Sequence, residues 1–164
     1  MGVRWAAIVG TAFVVQVAFL GDLRIVGVHP DLMLLVAVAA GLMGGPSRGA
    51  VVGFVAGLLV DLLLPGRLGT SALAFSLVGW GTGIAGESLM RSARSILVGL
   101  VVAGSAAGVL VYAGLAHLLG AGSLGDPRLL RIVVIVAVFN GLVCLPVLYL
   151  SQWAEDAGPA TSYR

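Results

Sequence analysis

The sequence predicts an all-α integral membrane protein with about six transmembrane helices. Of its 164 residues 60% are hydrophobic and only 10% are charged, and the mean hydropathy is +1.13. Folded soluble proteins carry roughly a quarter charged residues. Most of the surface of this chain must therefore face lipid rather than water.

Four uncharged stretches predict four of the helices. A helix needs about 20 residues to cross the hydrocarbon of a bilayer, and each stretch is adequate or slightly short. We assign the first, fourth, fifth and sixth helices to 5–21, 68–86, 95–125 and 132–154.

The remaining apolar segment, 32–64, is too long for one span. It is interrupted by Gly44-Gly45-Pro46-Ser47-Arg48, which combines helix breakers with a charge. We predict a second and a third helix joined by a tight turn. The second helix, 31–43, would reach only about 20 Å at the standard rise. Either the bilayer thins around this helix, or the helix is buried among its neighbours, or it is partly re-entrant. Five spans plus a re-entrant hairpin therefore remain the alternative to six spans.

The chain is predicted to form a single polytopic membrane domain over 1–154, followed by a short polar tail at 155–164. Six spans bring both termini to one side of the membrane. On that side we place Arg4, Arg48, Arg91, Arg94 and Arg164, against Arg24, Arg67, Arg128 and Arg131 on the other. Because arginine favours the cytoplasmic side of a membrane, we predict that both termini are cytoplasmic.

Glycines recur at helical spacing in the predicted third helix. Gly49, Gly53, Gly57 and Asp61 are each four residues apart and so share one helix face. Small residues let helices approach closely in lipid. The favoured interpretation is packing within the chain, and a groove for another protein's helix is the alternative. The same spacing occurs at Gly79 and Gly83, and at Gly104 and Gly108.

Asp61 is an ionisable residue near the end of a membrane helix, which makes it a functional candidate. Three roles are open: a structural carboxylate bonded to loop backbone or to Arg67, which we favour; a partner contact; or an ion or proton site. For Asn140, in the sixth helix, we favour an interhelical hydrogen bond or a bonded kink over substrate binding. Trp80, mid-helix, is predicted to lie in the core.

Catalysis is not expected. Ser71 and His117 superficially offer a nucleophile and a base, but Ser71 stands where serine commonly begins a helix and no protease motif surrounds it. Asp61 has no second carboxylate with which to form an aspartyl dyad. The two histidines and the lone Cys144 lack metal-ligand spacing. The net charge of +2 is spread singly along the chain, so no nucleic-acid partner is expected either.

The order of these features resembles the MreD family of rod shape-determining membrane proteins. The resemblance depends on a Pro-Asp helix opening, a Gly-Pro-x-Arg-Gly turn, a Gly-Phe-x-x-Gly-Leu-x-x-Asp helix and a following Leu-Gly. Here these are Pro30-Asp31, Gly45-Pro46-Ser47-Arg48-Gly49, Gly53-Phe54 through Gly57 to Asp61, and Leu68-Gly69. The motif region covers about 30–83, and the last two helices match by hydropathy alone.

The resemblance implies a non-enzymatic subunit of the bacterial cell-elongation machinery in the cytoplasmic (inner) membrane. Its implied partner is the single-pass protein MreC and, indirectly, MreB filaments, a RodA-type glycosyltransferase and a class B penicillin-binding protein. It also implies a fold similar to the substrate-binding subunits of energy-coupling-factor transporters. A vitamin-type solute-binding subunit is therefore the alternative function. The motif positions would contact a partner or shape the subunit.

Overall fold

The computed structural model describes residues 2–20, 31–63, 68–89, 94–120 and 127–155. Helix α1 spans Val3–Val15 and continues as a π-helical turn at Gln16–Leu20. It is followed by α2 (Leu32–Leu63), α3 (Thr70–Leu89), α4 (Arg94–Leu118) and α5 (Arg128–Glu155).

Three helices in the described ranges are long and apolar enough to cross a membrane: Leu32–Leu63, Ile96–Leu118 and Arg128–Glu155. A shorter apolar helix occupies Val3–Ala18. The predicted all-helical fold class is confirmed over these residues, and the count of six spans stays a prediction.

Helix α2 is broken at Gly45, whose φ of 79° and ψ of 176° are non-helical. A Cβ built on Gly49 would lie 2.6 Å from the Cα of Gly41, although eight residues of straight helix span about 12 Å. The two halves of α2, 32–44 and 46–63, therefore fold back on each other as a hairpin. Its turn lies where the glycines and Pro46 predict one.

The first half of α2 forms the centre of the molecule. All eleven residues from Leu32 to Leu42 are buried, whichever side of the helix they lie on. A helix that is hydrophobic all round is typical of such a central position. The short second helix predicted from the sequence is thus buried among neighbouring helices.

Large apolar side chains cover the outward surface, as in Leu142 (76% exposed) and Tyr149 (72%) on α5. Trp80 also faces outward and is 50% exposed, so its predicted place in the core is wrong. It adjoins Gly79, which packs inward. Lipid is as apolar as a protein core, so hydrophobicity alone does not tell an inward tryptophan from an outward one.

Several helix ends differ from the prediction; α5, for example, begins at Arg128 rather than at 132. Helix α4 ends at Leu118, well before Gly125, because Gly120 adopts a φ of 71° and its N–H donates to the carbonyl of His117 at 2.9 Å. A left-handed glycine is a common helix terminator. Helix α5 continues to Glu155, which had been assigned to the polar tail.

Candidate functional site

The glycine face of the second half of α2 packs directly on α3. Gly49 meets the backbone of Gly79, Gly53 that of Phe75, and Gly57 that of Ser71. As residue numbers rise on α2 they fall on α3, so the two helices are antiparallel. The helix face that was expected to pack within the chain or to accept a partner is filled by the chain itself.

These contacts leave no room for a side chain. A Cβ at Gly49, Gly53 or Gly57 would come closer than 3.0 Å to backbone carbonyl atoms of α3, a separation that real Cβ atoms essentially never show. The obstacle is backbone, so no rotamer change relieves it. Because such closeness brings many atoms of both helices into van der Waals contact, the interface is held mainly by dispersion.

Gly79 and Gly83 are the reciprocal half of this packing. A Cβ on Gly79 would clash with the carbonyl of Gly49, and one on Gly83 would clash with Pro46 in the α2 turn. Gly41, on the first half of α2, packs against Gly79 as well. Helix α3 thus lies across both halves of the α2 hairpin and fixes the turn between them.

Helix α4 packs on the first half of α2 in another way. A Cβ on Gly108 would meet side-chain atoms of Leu34, and one on Gly104 would meet those of Val38 and Thr82. Gly104 and Gly108 leave space for side chains, whereas the glycine face of the second half of α2 allows backbone to meet backbone.

Asp61 closes the connection between α2 and α3. Its Oδ2 accepts hydrogen bonds from the N–H groups of Gly69 (2.8 Å) and Ala72 (3.2 Å), and its Oδ1 accepts one from the N–H of Ser71 (3.1 Å). The side chain is only 8% exposed. Gly69 takes a φ of 99°, which glycine adopts readily.

This geometry makes Asp61 a helix cap. The first N–H groups of a helix lack partners within it, and the positive end of the helix dipole favours a carboxylate. The bonds to loop and helix backbone agree with the structural role favoured for Asp61 from the sequence. Arg67, the other proposed partner, lies outside the described residues.

Asp31 caps the first half of α2. Its Oδ1 accepts the N–H of Leu34 at 3.0 Å, and the Oε1 of Gln16 accepts the N–H of Met33 at 3.1 Å. Asp31 and Asp61, the two motif aspartates, therefore both cap the start of a helix. Pro30, the other half of the Pro-Asp motif, lies outside the described residues.

A buried polar pair joins α4 to α5. The Nδ2 of Asn140 donates to the Oγ of Ser105 at 3.0 Å, and both residues are completely buried. This is the interhelical hydrogen bond favoured for Asn140. The Oδ1 of Asn140 has no hydrogen-bond partner.

The end of the bundle that contains the Gly45 turn lies opposite the end that contains Asp31 and Asp61. We call it the turn end, and it carries charged side chains. The carboxylate of Glu155 accepts the indole N–H of Trp5 at 2.8 Å and forms an ion pair with Arg48. Arg4 donates to the carbonyl of Trp153 at 2.7 Å, and its guanidinium lies 4.2 Å from the centre of that ring. The start of α1, the α2 turn and the end of α5 are thereby joined.

Sequence reasoning missed several of these residues, among them Ser105, Gln16, Gly41 and Glu155. Gln16 was the only strongly polar residue in the first apolar stretch, which was a usable signal. Gly41 was hidden in a continuous apolar run. Glu155 was assigned to the tail because it follows the last uncharged stretch. Among the motif positions, Phe54 differs from the glycines, because it is 46% exposed on the outward side of α2.

Comparison with known proteins gives one result over most of the chain. The model of a protein family described as rod shape-determining protein MreD matches residues 2–152. No curated protein and no solved structure gives a significant match.

Proposed function

The chain belongs to the MreD family of rod shape-determining membrane proteins, and from this premise we propose that it is a non-enzymatic scaffold subunit of the bacterial cell-elongation complex. In this proposal it binds MreC. Through MreC it helps to position MreB, a RodA-type glycosyltransferase and a class B penicillin-binding protein. The family match over residues 2–152 carries the proposal.

The geometry supports a scaffold role. Asp31 and Asp61 accept backbone N–H groups, and Asn140 bonds to Ser105. Each of these polar groups lies in or beside a membrane helix, and each stabilises the packing of the chain itself. A subunit of this kind acts by presenting a fixed surface.

We propose that six segments cross the bacterial inner membrane: α1, the two halves of α2, α3, α4 and α5. The contact between Trp5 and Glu155 supports termini on one side, since it joins residues near both ends of the chain. Arg4 and Arg48 lie at that end, and arginines favour the cytoplasm. The turn end is therefore assigned to the cytoplasmic side.

Phe54 is the motif residue proposed to contact the partner. The motif glycines Gly49, Gly53 and Gly57 are occupied by α3, whereas the Phe54 side chain projects outward. Large aromatic side chains are frequent anchors of protein interfaces. A partner helix that lay on this side of α2 would cover Phe54 without displacing α3.

Co-purification in mild detergent with a single-pass MreC-type protein tests the proposal. Phe54→Ala should weaken capture of the partner while the variant stays folded, as judged by its elution in size-exclusion chromatography. Leu142→Ala, on the exposed face of α5, is the matched control and should capture the partner normally. Equal capture by both variants would remove Phe54 from the interface.

Depletion in a rod-shaped host tests the wider role. Cells should become round as the protein is lost, and cells that keep their rod shape would refute a role in elongation. Binding of a vitamin by the purified protein, or its capture of a transporter ATPase module, would instead favour the solute-binding alternative.

A further inference from the structure

We propose that the turn end contains a binding site for the headgroup of an anionic phospholipid, in a groove between the start of α1 and the second half of α2. The groove has a volume of about 310 Å³ and is lined by Gly2, Trp5, Gly44, Ser47, Arg48, Val51 and Val52. This inference goes beyond the partner-binding function and does not depend on it.

The groove has a polar end and an apolar end, as a phospholipid has a polar headgroup and apolar acyl chains. Arg48 and Ser47 supply a guanidinium and a hydroxyl at the polar end of the groove, and both residues are exposed. Val51 is 51% exposed one helical turn further along α2, while Trp5 and Val52 form a buried floor. A phosphate at Arg48 would therefore continue into an acyl chain that lies along Val51.

Arg48 keeps donors for this purpose although it is paired. Its Nη1 bonds to Glu155, and 45% of its side chain remains exposed. A guanidinium carries five N–H donors and forms paired hydrogen bonds with phosphate oxygens. The ion pair with Glu155 uses one nitrogen and holds the side chain over Gly44, whose missing Cβ leaves space for it.

The side chains around the groove favour a lipid over a free phosphate. Trp5 lines the groove, and Arg4, the residue before it, lies over the half-exposed ring of Trp153. An exposed tryptophan beside an arginine is typical of the membrane interface. An arginine near a bilayer surface favours anionic over zwitterionic lipid by about fivefold. Among the described residues, the carboxylates of Glu155 and Glu87 lie at this end and oppose an anion, so removal of one should strengthen binding.

The full-length protein in detergent, titrated with phosphatidylglycerol or with phosphatidylcholine of the same acyl chains and observed by native mass spectrometry, tests the proposal. The wild type should retain phosphatidylglycerol about fivefold better. Arg48→Gln should lose that preference. Arg131→Gln, which removes an exposed arginine of α5, should keep it. Equal retention of the two lipids by the wild type would overturn the site.

Glu155→Gln separates lipid binding from the ion pair. It breaks the same pair as Arg48→Gln but keeps the cation, so the preference should persist or increase, and its loss would refute the proposal. Val51→Trp fills the groove without a change of charge and should weaken retention of the lipid. Displacement of the lipid by equimolar glycerol phosphate would refute the choice of a lipid, because it would assign the site to a soluble phosphate.

Discussion

The replacement of Gly53 by alanine tests the packing of α2 on α3. The new Cβ would lie 2.3 Å from the carbonyl oxygen of Phe75 and 2.7 Å from its carbonyl carbon. The helices must then separate by on the order of 1 Å, a gap that forfeits a quarter to a half of the attraction of each atom pair. Over a contact of several residues we expect a loss of about 1–3 kcal/mol in the free energy of unfolding.

Gly81 provides the matched control. It lies on α3, and a Cβ built there meets nothing within 4 Å. Both alanine variants gain the same helix propensity, about 1 kcal/mol relative to glycine. The difference between them therefore isolates the packing cost at Gly53.

Reversible unfolding in mixed micelles, with increasing fractions of a denaturing detergent, measures this difference. Gly81→Ala should unfold at the same detergent fraction as the wild type or a slightly higher one, and Gly53→Ala at a clearly lower one. If the two variants unfold together, the backbone contact between Gly53 and Phe75 does not hold these helices and the reasoning is refuted.

Three further predictions use the same unfolding measurement. Asp61→Asn should lower the free energy of unfolding by about 1–3 kcal/mol, because an amide offers the three backbone donors one acceptor oxygen and an N–H group that clashes with them. A smaller loss than in Asp61→Ala would show that one acceptor suffices for part of the cap. Gly108→Ala should destabilise, and combination with Leu34→Ala should cost about 1–2 kcal/mol less than the sum of the two changes, whereas strict additivity would contradict the contact. Ser105→Ala should cost about 0.6–2 kcal/mol by leaving the amide of Asn140 unpaired, and an added Asn140→Leu should recover part of it; no recovery would mean that the polar pair is not the cause.

The sequence was most informative about features that depend only on local helix geometry, such as which residues share a helix face and where a helix breaks. A spacing of four residues puts Gly49, Gly53 and Gly57 on one face in any helix, and a Gly-Gly-Pro turn between apolar runs predicts a break. The pairing of that face with α3 could not be predicted, because the stripe of α4 has the same spacing. Gly104 and Gly108 admit side chains and Gly49 admits backbone, a difference that appears only once neighbours are in place.

The misassigned residues have a common physical origin. Trp80 faces outward because lipid and protein core reward the same apolar side chains, and so composition predicts the membrane without indicating inside from outside. Glu155 was assigned to the tail by its charge, yet it bonds to Trp5 and Arg48 in the folded chain. Its partners are more than a hundred residues away in sequence, beyond the reach of any local pattern.

The two kinds of glycine contact divide the molecule into a fixed part and an adjustable part. Backbone packed on backbone, as at Gly53 and Gly79, has one arrangement, because no side chain can rotate to relieve a displacement. The contacts of Gly104 and Gly108 with Val38 and Leu34 involve side chains, which can change rotamer as α4 moves. The hairpin of α2 with α3 therefore forms the rigid frame, and α4 with the α5 helix bonded to it forms the adjustable part. The unfolding experiments measure this difference, since the clash at Gly108 can be relieved by a shorter side chain at Leu34 and the clash at Gly53 by no side-chain change.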